Sequence, residues 1–86
     1  SRIVRVRGII VTLKPREFDL LLFFLRHRSQ VFSAASLIRR VWGHGYTADT
    51  GTVPVHIRGI RKKIELDPAI PTRIVTVRGV GYRYEG

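Results

Sequence analysis

Cysteine is absent from the 86 residues, so neither a disulfide staple nor a thiolate metal site is available. A reducing cytoplasm is compatible with that absence and not required by it. Long apolar runs are missing too. The longest candidate, residues 18–25, is broken by Asp19 and followed by Arg26, His27 and Arg28, well short of the roughly 18–20 apolar residues that span a bilayer. The first residues alternate arginine with isoleucine and valine, so no secretory signal is visible. The chain opens inside what reads as a strand and is expected to be a fragment of a longer protein. It contains no internal repeat, low-complexity tract or linker. Acidic residues are few: six Asp and Glu stand against sixteen Lys and Arg, a formal net charge of +10.

A folded domain this basic repels itself, so the excess usually faces an anionic partner. Nucleic acid is the first candidate, an acidic protein surface the second and anionic lipid the third, with a merely solvated basic surface as the bland alternative. Apolar residues make up 44% of the chain, in clusters separated by turn residues. That is the pattern of a folded globule and not of a basic tail. At this length one domain, residues 1–86, is expected, burying only about 60–65% of its unfolded surface.

The patterning predicts an α+β order. Arg2, Ile3, Val4, Arg5, Val6 and Arg7 alternate, Gly8 turns, and residues 9–13 resume β-branched positions, giving an N-terminal β-hairpin. Pro15 and Glu17 suit the opening turn of a helix over 15–28. Its Phe18, Leu21, Leu22 and Leu25 share one face at helical spacing, but Leu20, Phe23 and Phe24 make it apolar nearly all round, as for a helix between two layers. Val31-Phe32 allows a single strand bridge. Ser33 is a good cap for a second helix over 34–42, with Leu37, Ile38 and Val41 inward. A loop of small and polar residues follows, and Asp49 or Thr50 can cap a third helix reaching about 65. Asp67-Pro68-Ala69-Ile70-Pro71 is a proline-punctuated connection. Residues 73–77 and 82–84, joined by Arg78-Gly79-Val80-Gly81, predict a closing hairpin with Tyr82 and Tyr84 turned inward.

The third helix carries the functional signal. Val53, Ile57, Ile60 and Ile64 form one narrow apolar stripe, and a step of about 100° per residue puts Gly51, Val55, Arg58, Gly59 and Lys62 opposite it. His56 and Lys63 flank that face on one side, Pro54 and Arg61 on the other. A helix of this kind fits the major groove, where arginine reads guanine and an apolar side chain touches the thymine methyl. An ordinary solvated helix face is the competing reading. The hairpin shifts the balance, because Arg73, Thr76, Arg78 and Arg83 sit on or beside it. Its Gly79-x-Gly81 is a tight turn and not a dinucleotide fingerprint, since no helix follows.

Catalytic and metal chemistry find no support. His27, His44 and His56 are scattered without ligand spacing, the acids are dispersed, and no serine stands in a nucleophile elbow. No cofactor is expected. Trp42 reads as a core anchor before a base-stacking platform.

Five ordered motifs carry a resemblance: Lys14-Pro15-Arg16-Glu17-Phe18-Asp19-Leu20-Leu21, Val31-Phe32-Ser33, Val41-Trp42-Gly43, the run from Thr52 to Ile64, and Thr76-Val77-Arg78-Gly79-Val80-Gly81-Tyr82-Arg83. Together they span essentially the whole chain, which closely resembles the OmpR/PhoB-type winged-helix effector domain of bacterial two-component response regulators. The resemblance implies a winged helix-turn-helix, with three helices, an N-terminal β-hairpin and a C-terminal hairpin wing. It implies a cytoplasmic, nucleoid-bound transcription factor whose receiver domain lies outside this chain. The partners it implies are double-stranded promoter DNA, RNA polymerase, and a second copy on direct repeats in the full-length protein, with no membrane. The expected DNA-binding positions are Thr52, Val55, His56, Arg58, Arg61, Lys62, Lys63, Thr76 and Arg78; the resemblance implies contacts for His56 and Arg58 in the recognition helix and for Thr76 and Arg78 in the wing, and the others join them from the face of the third helix. Gly43, His44, Gly45, Tyr46, Thr47, Ala48 and Asp49 match the polymerase-facing loop.

The departures also matter. The family's N-terminal sheet has four strands, of which two are present here, and Lys14 replaces the Thr cap of the first helix, a loss of about 1 kcal/mol. Gly51 and Gly59 stand where the family often has arginine, and Pro54 where a polar residue is common. Pro54 requires the third helix to begin within a turn of it. Base readout is therefore expected to narrow to Val55 and Arg58, helped by Lys62, with affinity resting on phosphates. A protein-interaction module is the first rival. An RNA-binding module is the second, weakened because residues 55–62 offer no aromatic for stacking.

Overall fold

A computed structural model describes residues 2–43 and 49–86. β1 (Arg2–Val6) and β2 (Ile9–Leu13) pair antiparallel, Val4 against Val11 and Val6 against Ile9. Gly8 has a φ of +79°, the left-handed conformation this tight turn demands. α1 (Pro15–Arg26) follows, then β3 (Val31–Phe32), α2 (Ala34–Leu37) with a π-helical continuation (Ile38–Trp42), α3 (Thr52–Ile64), β4 (Ile74–Val77) and β5 (Gly81–Tyr84). The last hairpin and the bridge form a second, three-stranded sheet in the order β3-β5-β4. Three helices and two small sheets make the α+β architecture that the sequence predicts.

α1 ends two residues before the expected 28. His27 leaves the helix with its N–H on the Phe24 carbonyl, and Ser29 turns left-handed to donate to Tyr84 O, which starts β3. Its buried face also differs from the expected stripe. Leu20, Leu21 and Phe24 lie in the core with Glu17, while Phe18, Leu22 and Leu25 are half-buried and, with Val4 and Leu21, line an apolar groove against β1. An all-round apolar helix carries no periodic clue to its deeper side; the packing of α3 decides it.

Ser33 caps α2 as expected, its Oγ accepting from Ser36 N at 3.1 Å. The helix then widens, and Gly43 N reaches back five residues to Ile38 O. α3 begins at Thr52, later than the Asp49 or Thr50 cap predicts, although both help lead it in. Asp49 Oδ1 accepts from Gly51 N, and the carbonyls of Asp49 and Thr50 take the amides of Thr52 and Val53. Pro54 falls in the first turn, where a missing N–H costs nothing. The core joins Val6 and Leu13 of the first hairpin, Leu20 and Phe24 of α1, the stripe Val53, Ile57, Ile60 and Ile64, and Ile74 and Tyr84 of the second. Each fully buried aliphatic among them contributes about 1.5–3 kcal/mol.

Candidate nucleic-acid interface

α3 turns its apolar stripe to α1 and the hairpins and leaves a basic face to solvent. Val55 is 68% exposed, and Arg58 and Lys62 lie exposed beside it at i+3 and i+7. β4 and β5 extend next to this face, and their turn carries Arg78 and Val80 outward. Val80 N donates to Val77 O at 3.0 Å, and Gly79 takes the positive φ (+76°) that closes the turn. Arg58, Lys62 and Arg78 have no hydrogen-bond or ion-pair partner among the described residues. Their charges remain hydrated and available to an anion.

Many of the other cations are engaged internally. Arg7 donates to Ile64 O at the C-terminal end of α3, where a cation meets the negative end of the helix dipole. Arg16 donates to Val41 O, pairs with Asp19 and lies over the Trp42 ring. Arg28 bonds Gly86 O, and Arg40 stacks over Phe23. Arg61 donates to Ile74 O and Thr76 Oγ1, which puts the wing directly against its side of α3. Lys63 pairs with Glu17 at 2.8 Å. His56 Nδ1 lies 2.8 Å from Thr52 O, with its ring edge-on to Trp42. Trp42 is half-buried against the core, as an anchor would be.

The sequence-predicted positions therefore divide. Val55, Arg58, Lys62, Arg78 and the exposed Thr76 come together on one surface; Thr52 and His56 border it, half-buried; Arg61 and Lys63 are held by partners within the fold. Of the loop matched to the polymerase surface, only Gly43 and Asp49 are described; residues 44–48 lie outside the described residues.

Gly59 corrects the expectation that it faces the groove. A Cβ there would run into Glu17 Oε2, so this side of α3 is filled by a carboxylate from α1. Glu17 is itself buried, 4% exposed. Its Oε1 accepts from Lys14 N at 3.0 Å and from Lys63 Nζ at 2.8 Å. It thereby supplies half of a capping box at a helix start whose Lys14 side chain has no acceptor. The cap lost at Lys14 is partly replaced three residues later.

Burial would push the Glu17 carboxyl up, but the Lys63 hydrogen bond, the Lys14 amide and the field of both ammonium groups more than offset this and hold it below its ordinary 4.5. A carboxylate lowered on folding stabilises the fold above its unfolded value, and that contribution is lost as pH falls through the lowered one. Glu17→Gln should thus destabilise most near neutral pH. The gap from wild type should narrow below about 4.5 in urea titrations; a pH-independent gap would show that the charge contributes nothing.

Sequence reasoning misses Glu65. This buried residue follows α3, and its carboxylate accepts from the amides of Thr72, Arg73 and Ile74 at 2.8–3.1 Å, rooting the wing. No spacing rule announces it, because the amides return only after the turn in which Asp67 accepts from Ala69 and Ile70.

The sequence profile described as transcriptional regulatory protein, C terminal, matches residues 8–84. The sensory transduction protein RegX3 of Mycobacterium tuberculosis is 49% identical over 84 residues, which cover 98% of this chain and 37% of that protein. The chain thus spans little more than a third of this curated relative. The Thermotoga maritima response regulator DrrB, an OmpR/PhoB homologue, superposes with a TM-score of 0.85 at 34% identity, covering 93% of this chain and 36% of DrrB. The DNA-binding domain of Klebsiella pneumoniae RstA, solved in complex with the RstA box, superposes with a TM-score of 0.84 at 32% identity, covering 98% of this chain and 83% of that one. The profile, the mycobacterial relative and the two folds agree with the basic helix-and-wing surface: this chain belongs to the OmpR/PhoB-type family of winged-helix DNA-binding output domains that regulate transcription.

Proposed function

We propose that this domain reads double-stranded promoter DNA sequence-specifically, with α3 in the major groove and the wing on the adjoining backbone and minor groove. One observation carries the reading: Val55, Arg58 and Lys62 stand exposed on α3 beside a wing that ends in Arg78, and the three cations have no partner among the described residues. Arg58 is the guanine-reading donor and Val55 the thymine-methyl contact. Lys62, Thr52, His56, Thr76 and Arg78 hold sugar and phosphate and set the register. Lys63, tied to Glu17, adds to the local field without reaching the duplex.

Family membership supports the wider role. Residues 1–86 act as the output domain of a longer bacterial regulator whose phosphorylated receiver brings two copies onto direct repeats. The loop over residues 43–49 contacts RNA polymerase, and the protein works in the cytoplasm at the nucleoid.

Arg58→Ala tests the assignment. It should cost about 1–3 kcal/mol on the cognate duplex and much less on a scrambled one, narrowing the specificity gap roughly 10- to 100-fold in fluorescence anisotropy. Equal weakening on both duplexes would make Arg58 a backbone contact and remove it from base readout.

A further inference from the structure

We infer that Arg61 is a positioning residue that locks the wing to the recognition helix and acts on DNA through Arg78. The inference rests on the reading of α3 and the wing as the DNA interface.

Arg61 sits three residues after Arg58, on the flank of α3 that meets β4. Its Nε and Nη2 converge on Ile74 O at 3.0 and 2.8 Å, and Nη2 also donates to Thr76 Oγ1 at 2.9 Å. The guanidinium carbon lies 5.9 Å from the centre of the Tyr82 ring on the neighbouring strand, a cation–π distance. One side chain of α3 therefore grips both strands of the wing.

The location gives the grip its consequence. At the root, Glu65 holds the amides of Thr72, Arg73 and Ile74. Beyond Ile74, the Arg61–Thr76 bond is the only hydrogen bond between α3 and the wing among the described residues. Thr76 stands two residues before Arg78, so this is the last tie to the helix before the tip. Pairing with β3 ends at Phe32–Tyr82; beyond it the hairpin is two-stranded, and without a tie to α3 that tip swings relative to the helix, so Arg78 must then be ordered at the moment of binding. With it, helix and wing meet the duplex at a fixed spacing. Two of the guanidinium's three nitrogens are already spent on the wing, which is the arrangement of a strut.

A lysine separates a strut from a phosphate contact. It supplies a point charge to a phosphate but cannot span Ile74 O and Thr76 Oγ1 with a planar fork. The test measures affinity and its salt dependence for the wild type, Arg61→Ala, Arg61→Lys, Arg78→Ala and the Arg61→Ala/Arg78→Ala double variant. The probe is a duplex from the promoter region upstream of the protein's own gene, with a scrambled duplex as control and thermal melting to verify folding. Arg61→Lys provides the reading if the alanine variant does not fold.

Arg78→Ala and Arg61→Ala should each weaken binding about tenfold, Arg61→Lys should be nearly as weak as Arg61→Ala, and the double variant should be no weaker than about tenfold, with the salt slope of Arg78→Ala. Wild-type affinity in Arg61→Lys, or a double variant weakened about a hundredfold with a salt slope reduced by a further unit, would make Arg61 a direct phosphate contact and overturn the inference. So would wild-type affinity in Arg78→Ala, since Arg61 would then have no Arg78 contact to act through. A wild-type domain that binds neither duplex is a different failure, that of the DNA-binding reading itself, and the inference falls with it.

Discussion

A single methyl group added at Gly81 is expected to destabilise the domain by about 3 kcal/mol or more. Its Cβ would lie 2.7 Å from the Phe32 carbonyl carbon and 2.8 Å from Ser33 Cα, and closer still to the Phe32 oxygen. All three are backbone atoms, which cannot rotate aside as a side chain can. Relief requires β5 to part from β3, breaking the pairing of Phe32 with Tyr82 and of Val31 with Arg83. It also moves Ser33, the residue that caps α2. For a domain of this size the loss corresponds to a melting temperature lower by roughly 12–24 °C. Gly79 is the control: a Cβ there meets nothing within 4 Å, and only the positive φ opposes it, at about 1–2 kcal/mol. Equal melting temperatures for the two alanine variants would show that β5 does not press on the Phe32 backbone.

Glu65→Ala should rank with Gly81→Ala, at about 3 kcal/mol. Glu65 is 4% exposed, and its carboxylate takes three consecutive backbone amides. Hydrogen bonds to a charged acceptor contribute about 1.5–3 kcal/mol each, and a buried amide left without one costs a similar amount. The Thr72 and Arg73 amides are part-buried and recover some of this from water; Ile74 N is buried and does not. Glu65→Gln keeps one carbonyl acceptor and should lose about half as much in urea denaturation. If Gln and Ala were equally damaging, the charge and not the hydrogen-bond count would be what matters. The two substitutions strike opposite ends of the wing, its seat on β3 and its root after α3.

How much of this was legible depended on whether the signal was local. The stripe Val53, Ile57, Ile60 and Ile64 repeats at helical spacing, and all four side chains are buried. The turns at Gly8 and Gly79 and the Ser33 cap are likewise local chemistry, and they stand where the residues put them. α1 is less legible because its apolar residues run nearly all round, and periodicity does not choose Leu20, Leu21 and Phe24 over Phe18, Leu22 and Leu25. The π-helical turn after α2 has no pattern distinguishing it from an α-helix, since Leu37, Ile38 and Val41 suit either.

Gly59 departs from its expected place for a related reason. Counting from the stripe of α3 puts it outward, but the crossing of α1 carries Glu17 onto that flank. The same long-range event removes Lys63 from the exposed face, through a partner 46 residues away. Arg61 meets β4 across 13 and 15 residues. Residue type and helical spacing made the surface basic; tertiary pairing decided which of its cations stay free to meet a phosphate.

The most direct test of the account is a titration of the domain against its own upstream promoter duplex and a scrambled duplex at two salt concentrations. Arg58, Lys62 and Arg78 predict binding to both that falls steeply with salt, with a gap between them of roughly a thousandfold or more. Little binding to either duplex, or binding insensitive to salt, would contradict the basic helix-and-wing surface as a DNA interface; steep salt dependence with no gap would contradict base readout by Val55 and Arg58.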